Sequence, residues 1–573
     1  MGGEMRAEIG NVMTEKTETI EFDGRIIEAR HGESLAACLT AAGVKTFRTT
    51  AQDRERGMFC GMGVCQDCLV EIDGQPNERA CMTKVTGRLK VRSEAHARPL
   101  PPASGYRPPV TIDDIHVESP DVLVIGAGPG GLSAAIAARR AGAAVVVVDE
   151  RSQPGGQYFK QPDVEGAGIA PPDAQHSKGA KLIAEARSLG VLIRSGVTVW
   201  GAFAPLEFAT SSKAGTVRYR PRTAIVATGA YERGWPVPGW TLPGVMTTGA
   251  AQTLWRTARR SPGKRVLIAG NGPLNLQLAA ELIDAGSEVI AVVEAAAKPG
   301  LASLGTALSM LSASPSLIRS GINYHLKRMR AGSPIIYSEV VRKVEKSGAG
   351  LRVTCGAADG SGHARVFEVD ALCLGYGFEP ANELLRGLGC QHDFDAERRQ
   401  LVTRRDVSGS TSVAGLYALG DCTGLGGAGA ALAEGMLVGA AAAESLGKPA
   451  QNLAASRADL ARHRRFQRAL WQLYAFDGYH ASLADRETLI CRCEEVSFGQ
   501  IEDALADDLA MIGAVKRQTR VGMGRCQGRY CGPVLDTLMG AKLGYTRDDY
   551  SGFAPRVPIR PVRIEDLAGG GQA

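Results

Sequence analysis

Aromatic residues make up only 5% of this 573-residue chain, and its charges nearly cancel. A formal net charge of +6 at this length gives no concentrated basic face of the kind nucleic-acid binding requires. Long uninterrupted apolar runs are missing too. The most apolar stretch, DVLVIGAGPGGLSAAIAARRAGAAVVVVDE, is broken by Arg139, Arg140 and a group of glycines, so it reads as strand–helix–strand and not as a transmembrane segment. The opening MGGEMRAEIGNVMTEKTE has acids and no apolar core, so no secretory signal is expected. The thirteen cysteines are odd in number, and a large chain without a signal does not use them as a disulfide framework. The expected compartment is the reducing cytoplasm, with contact at the inner membrane only through an electron acceptor.

Glycine, by contrast, is abundant at 71 residues, as in α/β proteins with glycine-rich loops. Three to five domains are expected at this length. Residues 1–18 read as a polar leader. Residues 19–98 carry short strands, the helix ESLAACLTAAG and a cysteine loop, a small α+β module. The segment ARPLPPASGYRPPV marks a stiff linker over 99–118, because its prolines favour extended chain. Strands and helices then alternate, which predicts parallel sheets covered on both faces. One nucleotide-binding domain is read over 119–262 and again over 360–452, split by a second at 263–359. The insertion from Leu301 to Arg330 is apolar and helical. A charged helix, SRADLARHRRFQRALWQLYAF, falls in a connector at 453–488, its basic residues read as a solvated face. A cysteine-rich module follows at 489–545, then a tail at 546–573.

VLVIGAGPGG sets Gly126, Gly128 and Gly131 between an apolar strand and an Ala-rich helix. They serve a tight turn, close approach to a pyrophosphate and close helix–strand packing, and the helix N-terminus offers free N–H groups to phosphates. VVVVDE then supplies Asp149, with Glu150 the close alternative, for the ribose hydroxyls. AIVATGA (Thr228, Gly229) and LYALGDCTG (Gly420, Asp421) resemble motifs of two-dinucleotide-domain flavoproteins of the glutathione and thioredoxin reductase type. That resemblance implies FAD, with Asp421 on its ribitol and PGGQ (Gly156, Gln157) near the flavin. No Cys-x-x-Cys occurs in either nucleotide domain, which argues against a dithiol reductase. Neither a HExxH helix nor a Ser-His-Asp order is present. In the second fingerprint Gly270 and Gly272 remain, Asn275 takes the third position, and Glu294 comes one residue late. An active NAD(H) site, a structural adenine nucleotide and an empty domain stay open, with a 2′-phosphate disfavoured.

Eight cysteines fall into two groups, while Cys38, Cys355, Cys373, Cys390 and Cys422 read as small buried residues. Cys60-x4-Cys65-x2-Cys68, with Cys81 after twelve more residues, is the plant-type [2Fe–2S] spacing. Structural zinc, the alternative, usually pairs shorter knuckles. Cys491-x-Cys493 and Cys526-x4-Cys531 stand thirty-two residues apart. They resemble the helical module of bacterioferritin-associated ferredoxin, whose second pair is tighter, and imply a second [2Fe–2S], with zinc or no metal as alternatives. SFGQIEDALADD reads as a helix with Ser497 as N-cap, and a second helix is expected at Pro533.

The whole order, with PGWTLPGVMTTGAAQ and CRCEEV…GMGRCQGRYCGP, resembles the α-type subunits of bacterial heteromeric amine dehydrogenases and oxidases. These include opine oxidase, hydroxyproline dehydrogenase, hydrogen cyanide synthase and sarcosine oxidase α, here with a fused N-terminal cluster module. The resemblance implies a multidomain α/β fold: two Rossmann-like domains, an N-terminal β-grasp ferredoxin-like domain and a C-terminal helical [2Fe–2S] domain. It also implies an electron-transferring role beside a D-amino-acid-oxidase-like FAD partner that oxidises the C–N bond of amino acids, imino acids or opines. A quinone or carrier protein would accept the electrons, and the two clusters would bracket one flavin. A self-contained NADH:acceptor reductase and a zinc-stabilised docking scaffold are the alternatives.

Overall fold

The computed structural model describes residues 16–94, 115–163, 173–506, 511–544, 548 and 551–567. Most of the expected leader and most of the linker lie outside them. The first module is a five-stranded sheet in the order Arg25–Arg30, Thr17–Phe22, Leu89–Ser93, Leu69–Ile72, Gln75–Arg79. Thr17–Phe22 and Leu89–Ser93 run parallel and the other neighbours antiparallel, which with the helix Leu35–Ala41 is the β-grasp arrangement. Ser34 starts that helix, its hydroxyl accepting from the Ala37 amide. The sheet takes up Thr17 and Glu18, so the polar leader ends before residue 17 and not at 18.

Two parallel sheets follow, each with five strands. The first runs Leu192–Ser195, Val145–Asp149, Val122–Ile125, Thr223–Val226, Leu416–Ala418, so its last strand returns long after the others. The second runs Val245–Thr247, Ala371–Gly375, Arg265–Gly270, Glu288–Glu294, Ile335–Tyr337. Its membership corrects the expected boundary. Val245–Thr247 and Ala371–Gly375 belong to the second sheet, so that domain spans about 245–375 and not 263–359. Short apolar strands such as ALCLG fit either sheet by pattern, and only pairing decides.

Helices Pro129–Arg140 and Gly427–Glu444 pack side by side against the first sheet. A Cβ on Gly435 or Gly439 would overlap the carbonyl oxygens of Gly130 and Ala134, so these glycines let two backbones touch. The apolar insertion forms Leu304–Ala313 and Pro315–Arg330. Among the described residues no single helix is long and apolar enough to cross a membrane, although this bent pair, with a 119° break, passes that test together.

The C-terminal module has helices Phe498–Ala506, Ile512–Thr519 and Gly532–Leu543. Ser497 and Gln500 cap the first reciprocally: the Gln500 amide donates to the Ser497 hydroxyl, and the Ser497 amide to the Gln500 side chain. Ile512–Thr519 carries no cap signal in sequence. The described part of the expected tail packs back on the protein. Phe553 lies against Gly522, Gly528 and Gly532, where a Cβ would meet its ring, and the Ile559 amide donates to Trp200 O.

Candidate functional site

At the first glycine turn, Gly126 adopts φ +109°, a conformation costly for any residue with a Cβ. A Cβ on Gly131 would overlap the carbonyl oxygen of Gly126, which is the helix–strand contact expected of the third glycine. The PGGQ loop closes over this turn. Gly155 N donates to Ala127 O at 2.8 Å, and Gly156 sits so close to Gly128 that a Cβ would come within 2.7 Å of its Cα. The Gln157 amide faces Arg151. Asp149 lies under the turn, accepting from the amides of Ala127 (2.6 Å) and Arg151 (2.8 Å). Burial raises its pKa against those hydrogen bonds. Glu150 points elsewhere, toward Arg560 at 3.7 Å. Burial opposes its ionisation, and Arg560, Arg79, Arg151 and Arg529 together still hold it below the usual carboxylate range. The structure thus gives the two adjacent acids different surroundings.

The other first-domain motifs converge on the same sheet end. Thr228 donates to Ala381 O at 2.6 Å and Gly229 turns with φ +73°. Gly420 N donates to Glu434 at 2.7 Å. Asp421 accepts from the amides of Gly426 (2.9 Å) and Gly427 (2.8 Å), at the start of the helix Gly427–Glu444. Burial pushes its pKa up.

In the second domain the altered fingerprint has a physical account. Gly270 presses on Gly375 so tightly that no Cβ fits. Asn275, where a third glycine would stand, ties the helix to the sheet: its Nδ2 donates to Gly375 O at 3.2 Å and its Oδ1 accepts from Thr248 at 2.9 Å. Glu294 is buried and accepts from the amides of Gly272 (3.1 Å) and Ala296 (3.0 Å) and from Asn271 Nδ2 (3.0 Å). Its carboxylate is committed to bracing its own loop.

The cysteines assemble in pairs. Cys60 and Cys65 hydrogen-bond each other, as do Cys68 and Cys81. In the second group Cys491 pairs with Cys531 and Cys493 with Cys526. Three thiols are held low despite burial, Cys60 in the first group and Cys491 and Cys526 in the second. Cys60 falls to about 6 through Cys65 and the amides of Cys65, Met62 and Val64, and Cys491 falls to about 7, chiefly through Cys531. Among the described residues no three of His, Cys, Asp and Glu gather at one point. Two thiol pairs per group suit a binuclear cluster, which takes two ligands on each iron, whereas tetrahedral zinc draws four to one ion.

Sequence reasoning missed where these groups lie. Cys60, Cys65, Cys491, Cys526 and Cys531 share one hydrophobic core. The groups meet each other, and do not stand at opposite ends of the molecule as bracketing a flavin would require. Arg492, between two ligand cysteines, reaches Asp67, between two others, at 2.6 Å. Arg56 meets Glu495 at 2.6 Å. Burial would raise the pKa of Asp67, and Arg492, Arg48 and Arg56 keep it low. Charged residues flanking ligand cysteines were the available signal. Also missed were Lys160 and Glu232. Lys160 Nζ donates to Gln252 at 3.1 Å, and burial lowers its pKa to about 7. Glu232 accepts the Gly249 amide, and burial raises it to about 7. Lys160, Arg151 and Gly156 from the flavin-motif side line one cavity with Cys81 from the first cysteine group.

Comparison with known proteins accords with this geometry. Residues 120–444 match the pyridine nucleotide-disulphide oxidoreductase model, residues 15–96 a 2Fe-2S iron-sulfur cluster binding domain, and residues 489–541 a BFD-like [2Fe-2S] binding domain. The A-type subunit of opine oxidase from Agrobacterium tumefaciens (strain Ach5) is 35% identical over 469 residues, covering 78% of this chain and 91% of that protein. The chain belongs to the family of opine oxidase A-type subunits. It is a flavoprotein oxidoreductase with two [2Fe–2S] domains. The alpha subunit of sarcosine oxidase from Corynebacterium sp. (strain P-1) is 25% identical, covering 96% of this chain and 56% of that protein. The L-proline dehydrogenase structure from P. horikoshii shares the fold, with a TM-score of 0.71 at 20% identity over 97% of this chain and 98% of that one.

Proposed function

We propose that this chain is the electron-handling subunit of a hetero-oligomeric, FAD-dependent oxidase or dehydrogenase acting on the C–N bond of an amino acid, imino acid or opine. Substrate oxidation takes place on a partner subunit resembling D-amino-acid oxidases, and a quinone or carrier protein takes up the electrons. The observation that carries the reading is the shared cavity, where Gly156 and Lys160 of the flavin-motif side face Cys81 of the first cysteine group. The relatives named as subunits of oxidases support the assembly.

FAD would be held by Gly126, Gly128, Gly131, Asp149, Gly156, Thr228, Gly229, Gly420 and Asp421. Asp149 is favoured over Glu150 because Glu150 is turned to Arg560. One cluster would sit on Cys60, Cys65, Cys68 and Cys81, the other on Cys491, Cys493, Cys526 and Cys531. When bound, these groups join two-electron flavin chemistry to one-electron carriers. The chain's own residues bury the thiols of both groups, Cys493 only in part, hold Cys60, Cys491 and Cys526 low and exclude water from the seam between the groups.

The test is a panel of amines, amino acids and opines offered to the purified chain alone and with its partner. The chain alone should carry flavin and iron yet leave these substrates unoxidised. Turnover by the isolated chain contradicts the division of labour. A second reading, an adenine nucleotide on the Gly270–Gly272 loop, is favoured by the intact parallel sheet and the helix N-terminus at Pro273. Bleaching of the flavin by stoichiometric NADH would make that site a redox site, and nucleotide retained without bleaching a structural one.

A further inference from the structure

Arg492 and Asp67 are 425 residues apart, yet each stands between two cysteines of its own group, and they meet at 2.6 Å with 4% and 1% of their side chains exposed. Arg492 also donates to Trp240 O at 2.9 Å, and its guanidinium lies 3.8 Å from the Phe59 ring centre and 4.6 Å from that of Trp240. Arg56 and Glu495 form a second buried pair across the same seam. Buried ion pairs are seldom more stabilising than apolar packing of the same volume, and their best-attested use is fixing register. Phe59, Val64, Trp240 and Ile490 already supply apolar cohesion here. The ion pairs add direction: they lock one cysteine loop onto the other.

A second observation lies in the same seam. The Tyr530 ring, next to Cys531, packs edge-on against Phe59, next to Cys60, with centroids 5.3 Å apart. Its hydroxyl is buried without a hydrogen-bond partner, which costs free energy that a phenylalanine would not. Resting on the cluster assignment above, we propose that the two cysteine sites form one electron-passing unit. Asp67 and Arg492, backed by Arg56 and Glu495, are its positioning residues, and the Phe59–Tyr530 contact is the crossing point. A transfer leaves one site oxidised by one electron and the other reduced by one, so no further reactant is required.

Electron paramagnetic resonance of the fully reduced, iron-loaded chain tests this. The expected result is a pair of signals split or broadened by each other. Arg492→Met should lose that splitting while the iron content stays at the wild-type level, a change that a merely structural role would not produce. Should Arg492→Met fail to load, the neutral pair Asp67→Asn/Arg492→Gln removes both charges of this contact at once, leaving Arg48 its hydrogen bond to the main-chain carbonyl at position 67, and should lose the splitting as well. Tyr530→Phe keeps the ring contact and should retain it. Full iron content with two independent, unsplit signals in the wild-type chain overturns the inference and leaves the proposed function standing, as does splitting unchanged in both seam variants. Zinc in place of iron overturns both.

Discussion

The two cysteine modules reach the same arrangement by opposite routes. In the first, a glycine-curled loop between strands pairs its thiols in chain order, Cys60 with Cys65 and Cys68 with Cys81. In the second, two thiols of a short hairpin pair in nested order with two from the loop that leads into the helix Gly532–Leu543, Cys491 with Cys531 outside and Cys493 with Cys526 inside. Spacing along the chain therefore does not determine the site. What the modules share is two thiol pairs, thiols held low despite burial, and packing against a common seam. The four-residue gap between Cys526 and Cys531, which departs from related modules, is accommodated by this nesting, with Gly528 at φ +82° turning the chain between them.

The comparison can be broken most severely at the ligands. Cys65→Ser and Cys526→Ser should each remove half of the iron and leave the other half in place, read by metal analysis and absorption. If either change empties both modules, they are not separate sites. Next in size is the clamp. Arg492→Met takes from Asp67 its shortest ion pair and leaves Arg48 at 3.3 Å, and breaking a buried pair costs about 3–5 kcal/mol. Denaturant unfolding should show that loss, with Asp67→Asn/Arg492→Met recovering part of it.

A smaller effect follows from Glu232, whose carboxyl feels Cys60. Its pKa is about 7 in the folded chain against 4.5 as the ordinary value. The folded state therefore keeps a proton that the unfolded state has lost, so stability falls as pH rises from about 4.5 to about 7. Glu232→Gln should remove that slope, up to about 3 kcal/mol across the window, measured as unfolding midpoints against pH. The smallest effect is at the helix caps. Ser497→Ala in the second module and Ser34→Ala in the first should each cost about 1 kcal/mol, read by the same unfolding curves.

Much of this was legible in the sequence because it is local. The Gly126–Gly131 turn, the PGGQ loop and the capping serine at 497 are each written within a few residues, and each cysteine group lies within one short module. The seam was not legible. Nothing local says that CRC will lie on CQDC hundreds of residues earlier, or that Trp240 of PGW will pack against Arg492 there, because those contacts are set by how whole domains pack. The limits of the second nucleotide domain were misread for a related reason: Val245–Thr247 and Ala371–Gly375 are apolar strands whose sheet is chosen by pairing. Asn275 looked like damage to a fingerprint, and only the structure gives it a task, as a strap between helix and sheet.

The most direct test of the central claim is the iron and acid-labile sulfide content of the purified chain, with flavin measured alongside. Two binuclear domains require four iron and four sulfide per chain, and the flavoprotein domain requires one FAD. Zinc in either module, or iron at half that amount in the wild-type chain, would contradict the account.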